Sequence, residues 1–196
     1  ANLRPKLHLV HQSAHPLPDP RAPRKRMFGI CVIGHLREEK DPFRTALAAR
    51  LVPVQSRLCV HHLGKAHTPA WARDAKREMA RNPRYVWKGE VAAWQVRREF
   101  AKTHAMVISS NQEGGANVVS EAIAAGVPII ASDIPGNVGL LGTDYPGYYP
   151  VGDENALADV LWRVEREPKF LASLQRHIIK LQPQFTPKGE AKSLVK

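Results

Sequence analysis

The sequence predicts an α/β fold, a doubly wound parallel sheet of six strands in the Rossmann-like manner. Short apolar runs alternate with amphipathic stretches along most of the 196 residues, the pattern of parallel strands joined by crossover helices. Six such runs can be counted, the number of a full doubly wound sheet. The two stretches richest in glycine and charge, residues 34–40 and 109–117, each follow an apolar run. Both therefore fall at the C-terminal edge of the sheet, where folds of this class bind ligands.

Residues 1–26 carry Pro5, Pro16, Pro18, Pro20 and Pro23. They read as an extended interdomain linker with one short strand at 7–10, since proline removes donors and fixes φ. The compact domain is expected over 27–182. Its first strand is 28–33. Asp41 suits an N-cap and Pro42 the first helical position, so a helix is expected from there to Leu51. Residues 58–63 form the second strand and 69–81 a helix ended by Asn82-Pro83. A short strand at 85–87, a helix at 93–102 and a strand at 105–109 follow. The helix after the glycines leads to strands at 127–131 and 148–151, and helices at 154–166 and 168–181 complete the domain. Residues 183–196 are polar, with Pro183 and Pro187, and read as a tail with a short crossover helix. In the strand order 3-2-1-4-5-6 the first and fourth strands are neighbours at the topological switch point. The two marked stretches, about 75 residues apart in sequence, then face one crevice.

Composition excludes several classes. Hydrophobic residues make up 43%, but no uncharged apolar run approaches the roughly 18 residues that span a bilayer. Cys31 and Cys59 lie in apolar runs, where free thiols sit as small hydrophobes; with no apolar leader in view, a cytoplasmic setting is the expectation. Net charge is +11, which raises the question of a polyanion partner. The basic residues are mostly dispersed, and the one dense cluster, Arg21 to Arg26, reads as a solvated linker without the aromatics of a single-strand platform. No nucleic-acid partner is expected. Cys59, His61, His62 and His67 resemble metal ligands, but strand alternation puts His62 on the face opposite Cys59 and His61, so no metal site is assigned.

Residues 111–126 carry the most chemistry: Glu113 and Glu121, eight positions apart, bracket Gly114 and Gly115 and run into a helix. Glycines let the backbone approach a ligand, and the helix's first N–H groups face an anion. A carboxylate beside a phosphate would repel it, so each Glu calls for a hydroxyl partner. A sugar and a ribose on either side of a diphosphate meet that demand.

This stretch resembles the Glu-x7-Glu element of the retaining family-four glycosyltransferases of the GT-B fold, and residues 127–132 are similar to the strand that succeeds it there. The resemblance implies that Glu113 reaches the donor sugar, that the backbone of Gly114, Gly115, Ala116 and Asn117 holds the diphosphate and sugar, and that Glu121 binds the ribose. Residues 32–40, Val-Ile-Gly-His-Leu-Arg-Glu-Glu-Lys, resemble the family's Gly-Arg-Leu…Lys element, whose Arg and Lys neutralise the diphosphate. Gly34 and Lys40 keep their places; His35 stands in the Arg position. Either Arg37 swings in, or the diphosphate is held with less charge. His35 itself is left open as a phosphate ligand, a donor to the sugar or a loop residue. Gly139 stands where many members have a Glu. Asn137 reads as a donor contact or as a turn residue in a loop.

The strings Gly-His-Leu-Arg-Glu-Glu-Lys-Asp-Pro and Ile-Pro-Gly-Asn-Val-Gly-Leu-Leu-Gly are similar to a bacterial branch that includes the selenosugar synthases, which implies selenophosphate as acceptor. The family implies a UDP-sugar donor, no metal and no cofactor, catalysis through Glu113, Lys40 and Arg37, and an N-terminal GT-B domain as partner. The competing readings are a nucleotide-binding module inactive without that domain and a nucleotide-sugar epimerase of the same fold, for which no acid–base pair can be located.

Overall fold

The computed structural model of the chain describes residues 10–113 and 117–194. Six parallel strands form one sheet: β1 (Phe28–Ile33), β2 (Leu58–Leu63), β3 (Tyr85–Trp87), β4 (Ala105–Ile108), β5 (Ile129–Ser132) and β6 (Tyr148–Tyr149). Their order is β3-β2-β1-β4-β5-β6, as expected. The fold is α/β and Rossmann-like. The short strand expected at 7–10 lies almost wholly outside the described residues; Val10 is not in a strand.

Seven of the helices follow or flank the strands: α1 (Arg44–Leu51), α2 (Pro69–Arg81), α3 (Ala93–Lys102), α4 (Asn117–Ala124), α5 (Pro135–Leu141), α6 (Glu154–Arg166) and α7 (Pro168–Leu181). Two of them have well-made starts. Thr68 accepts from the Trp71 N–H ahead of α2, with Pro69 at its first position, and Asp153 accepts from the Ala156 N–H ahead of α6; each satisfies one orphan donor. Helices on both faces bury the sheet, so Ile30, Cys31, Val60, Met106, Val107, Ile129 and Ile130 are all solvent-free. Burial pushes the Cys31 thiol up to about 12, which keeps it protonated and inert. Both cysteines are free.

Three expectations are corrected. α1 does not begin at Asp41. Residues Glu38–Lys40 form a 3₁₀ turn that Asp41 closes with φ 42°, and the helix starts three residues later. Ser109 Oγ donates to the carbonyls of Lys40 and Asp41, at 3.1 and 2.9 Å. That tertiary tie fixes the turn, and the Asp41 carboxylate takes the Arg44 guanidinium instead of a helix N–H. Residues 135–141 are a helix rather than a loop, opened by Pro135 at its first position. Finally, the cluster at 21–26 is not uniformly solvated. Arg21 donates to the carbonyls of Phe100, Thr103, His104 and Gly126 and to Gln175, and Arg24 pairs with the buried Glu99 at 2.8 Å. Burial lowers the Arg21 pKa to about 10, yet the guanidinium stays charged at neutral pH.

The two ends of the described chain meet. The Ala14 N–H donates to the Phe185 carbonyl at 2.9 Å, His11 stacks on the Phe185 ring, and Ser13 bonds Glu190. Phe185 closes a 3₁₀ turn (Gln182–Phe185) and is fully buried; after it comes α8 (Pro187–Leu194). The stretch from Gln182 is thus partly core rather than a polar tail.

Arg21 joins α3, α4 and α7 by donating to four backbone carbonyls and to Gln175, the Gly126 carbonyl also accepting from the Gln175 amide. Arg21→Met is expected to lower stability in urea unfolding by about 2–4 kcal/mol, against less than about 0.5 kcal/mol for the exposed Arg26→Met.

Candidate functional site

The first strand and the fourth pair in register, Ile30 with Ala105 and Val32 with Val107, and their C-terminal loops diverge to open a crevice of about 470 Å³. From the β1 side come Gly34, His35, Arg37 and Lys40; from the β4 side come Glu113, Asn117 and Glu121. Seven of the expected site residues therefore share one cavity. Gly114, Gly115 and Ala116 lie outside the described residues. Glu90 and Val91, after β3, complete the wall.

The two loops are bonded to each other as well as adjacent. The Asn111 N–H donates to the Glu39 carbonyl at 2.9 Å, and Ser109 holds the 3₁₀ turn from beneath. Lys40 Nζ pairs with Glu113 Oε1, which also accepts from Ser110 Oγ at 2.5 Å. Ser132 Oγ in turn donates to the Ser110 carbonyl at 2.7 Å, and Asn137 Nδ2 donates to Ser132. A hydrogen-bonded chain thus runs from α5 to Glu113 and Lys40.

Asn137 is not at the crevice. It is fully buried and donates to Ser132 from behind the wall, so its side chain does not line the crevice. The neighbouring Gly136, which sequence reasoning passed over, is the closer residue. A Cβ there would stand 2.2 Å from the Glu113 carbonyl. Gly64 is its counterpart after β2: with φ +155° it lies 1.9 Å, as a Cβ, from the Gly34 carbonyl. Gly64 follows β2 and Gly136 lies in the first turn of α5 after β5; both stand at the ligand edge, and that placement was the available signal. Gly34 has open space before it, consistent with close approach of a ligand rather than with strain.

His62 is a second residue missed. Among the described residues no group of three His, Cys, Asp or Glu side chains could hold an ion. The His62 ring is buried, with Nδ1 2.8 Å from the Tyr85 hydroxyl and Nε2 3.1 Å from the Gly34 carbonyl. Burial lowers its pKa to about 4, against the Gly34 bond, which raises it. The neutral ring donates from Nε2 and accepts at Nδ1, fixing the Gly34 turn.

His35 accepts the Lys65 N–H at Nδ1, 3.1 Å away. That leaves its proton on Nε2, so it faces the crevice side of the sheet as a hydrogen-bond donor without a fork. Arg37 Nε lies 3.0 Å from Glu39 Oε1 in an ion pair whose angle makes no hydrogen bond. Desolvation pushes the Glu121 carboxyl upward, and the charge of Arg97 opposes it. Lys65 and Glu90, both lining the crevice, form an exposed ion pair 4.0 Å apart. Three cations and three carboxylates thus line the crevice among the described residues.

The six-stranded parallel sheet with helices on both faces matches the C-terminal domains of GT-B glycosyltransferases. Residues 19–181 match the family described as glycosyl transferases group 1, and the chain belongs to that family. Solved structures share its fold. HepE of Anabaena, in complex with UDP and glucose, superposes with a TM-score of 0.75 at 17% identity over 87% of this chain and 47% of that one. The apo lipopolysaccharide outer core galactosyltransferase WaaB gives 0.75 at 19% over 95% and 54%. The pneumococcal O-GlcNAc transferase GtfA, in complex with UDP and GlcNAc, gives 0.70 at 18% over 95% and 37%. The chain spans about half the length of HepE and WaaB. No curated protein matches it in sequence.

The depressed His62 pKa has a consequence for stability. The unfolded chain takes up the proton near pH 6.5 and the folded one only near 4. Its contribution is complete above about 6.5 and is lost as pH falls towards 4, by up to roughly 3 kcal/mol. Wild-type stability in urea should therefore fall more steeply between pH 6.5 and 4 than that of His62→Gln; parallel curves would refute the neutral, buried ring.

Proposed function

We propose that this chain is the donor-binding half of a group 1 glycosyltransferase and that its crevice holds a nucleoside diphosphate sugar, with UDP as the nucleotide. The observation that carries the reading is the junction of Lys40, Glu113 and Glu121 in one cavity with the glycine turn at Gly34. A diphosphate brings two or more negative charges to a cavity whose own charges balance. Lys40 then exchanges Glu113 for a phosphate oxygen, with Arg37 and His35 Nε2 as further donors, and the start of α4 faces the same anion.

The exchange has a second effect: it frees Glu113 to accept from hydroxyls of the sugar. Glu121 takes the ribose hydroxyls, and Glu90 with Val91 border the base. Catalysis is electrostatic. As the bond from the anomeric carbon to the diphosphate oxygen breaks, its electron pair leaves with the phosphate, and Lys40, Arg37 and the helix start stabilise that charge. Transfer proceeds with retention, without a protein nucleophile, metal or cofactor.

The acceptor comes from the N-terminal domain's side of the cleft. Resemblance to the selenosugar synthase branch names selenophosphate as that acceptor, and the free thiols of Cys31 and Cys59 support a reducing cytoplasm as the setting. Alone, this half binds donor and does not turn it over. That UDP is bound by HepE and GtfA supports the choice of nucleotide.

Calorimetric titration tests the reading. UDP and UDP-N-acetylglucosamine are expected to bind in preference to GDP and ADP, and Glu121→Ala and Lys40→Ala, shown to be folded, should each weaken UDP about tenfold or more. Equal binding of all nucleotides, or UDP binding untouched by both substitutions, would contradict it.

A further inference from the structure

The crevice does not account for the chain's basicity. Its three cations face three carboxylates, while the whole chain carries +11. The excess gathers at the opposite edge of the sheet, where the strands begin. There a shallow basin of about 690 Å³ is lined by Met27 and Val54 together with Arg50, Arg57, Arg81 and Arg84, and the exposed Lys25 and Arg26 adjoin it. Arg57 reaches the Lys25 carbonyl, which ties the two groups of cations together.

The carboxylates at this edge are sunk beneath it. Glu78, which holds Arg50 and Arg81, and Glu165, which holds Arg57, have side chains 3% and 4% exposed. Arg57 and Arg81 are more than half exposed. Arg84 is turned onto the Ala49, Val52 and Pro53 carbonyls, and the other five cations are exposed over two sunken carboxylates.

Among them stand apolar side chains with no partner in the fold. Val54 is 93% exposed, Leu51 51% and Met27 41%, and all three sit where helix α1 ends and β1 begins. A valine almost wholly in water at the tip of a turn, ringed by arginines, has the composition of an interfacial anchor: apolar atoms enter the headgroup region while the guanidinium groups bind lipid phosphate. A single-strand polynucleotide platform also needs cations, but it needs stacking aromatics too, and the residues lining this basin include none.

We propose that the strand-start edge, built on Val54, Leu51 and Met27 within the Lys25–Arg26–Arg57–Arg81 ring, docks on an anionic lipid surface. No helix of the described residues is long and apolar enough to cross a membrane, so the contact is peripheral. It leaves the donor crevice, at the far edge of the sheet, turned away from the bilayer and open to soluble donor.

Sedimentation with sucrose-loaded vesicles tests this directly, with phosphatidylcholine alone and phosphatidylcholine mixed equally with phosphatidylglycerol. Partitioning to the anionic vesicles should exceed that to neutral ones by about tenfold or more at low salt, since each cation near the surface adds to the attraction, and should fall with added salt. Val54→Asp and Arg26→Glu are both at exposed positions, so folding is retained and a thermal melt checks it. Each should cut anionic binding several-fold. Two results would overturn the proposal: equal partitioning to both vesicle types, including none to either, or binding of a mixed-sequence oligonucleotide that displaces the vesicles and is insensitive to Val54→Asp.

Discussion

The pairing of β1 with β4 is the constraint on which the crevice depends. Parallel strands send their next segments off the same edge, and at this one place in the order the segments turn to opposite faces of the sheet. The loops after Ile33 and Ile108 are left with a gap between them. Two stretches far apart in sequence become opposing walls, and their backbones are then bonded through Asn111 and Ser109. Everything chemical follows from that adjacency. Lys40 can meet Glu113 only because a 3₁₀ turn, held from below by Ser109, carries it towards the β4 loop.

Behind the walls lies a second layer of polar groups with no exposure of their own. His62 holds the Gly34 carbonyl, and Asn137 and Ser132 brace the loop that bears Glu113. The His62 ring, Ser132 Oγ and Asn137 Nδ2 are all hydrogen-bonded, which offsets their burial, whereas Asn137 Oδ1 has no partner and costs stability. Their effect is to fix the first layer before a ligand arrives, so less ordering is needed on binding. The Lys40–Glu113 pair fits the same logic: each group is held in place by the other, and in the proposed donor complex a phosphate and a sugar hydroxyl would replace them.

Much of this was legible in the sequence, for identifiable reasons. The bounds of β1, β2, α2, β3, α3, α6 and α7 follow from apolar spacing and from Thr68, Pro69, Asp153 and Pro168, because those signals act within a turn or two of the chain. The crevice residues were legible because glycine and paired charge cluster at loop positions after strands. What was not legible depends on distant partners. Asp41 looked like a cap because Ser109's claim on the turn is invisible locally. Residues 135–141 looked like a loop because Gly136 and Gly139 weaken a helix, whereas packing against the Glu113 backbone demands a glycine at 136. Arg21 looked like linker charge because its acceptors, among them Gly126 and Gln175, lie more than a hundred residues away. The charge at the strand-start edge was legible in amount but not in place.

Membership of the group 1 glycosyl transferases rests on residues 19–181 as a whole, and the donor assignment rests on the crevice. A crystal structure of the chain grown with UDP is the most direct measurement. The account predicts the diphosphate between the Gly34 turn and the start of α4, Lys40 moved from Glu113 to a phosphate oxygen, and the ribose on Glu121. A nucleotide bound elsewhere, or one in the crevice with Lys40 still on Glu113 and the ribose away from Glu121, would contradict it.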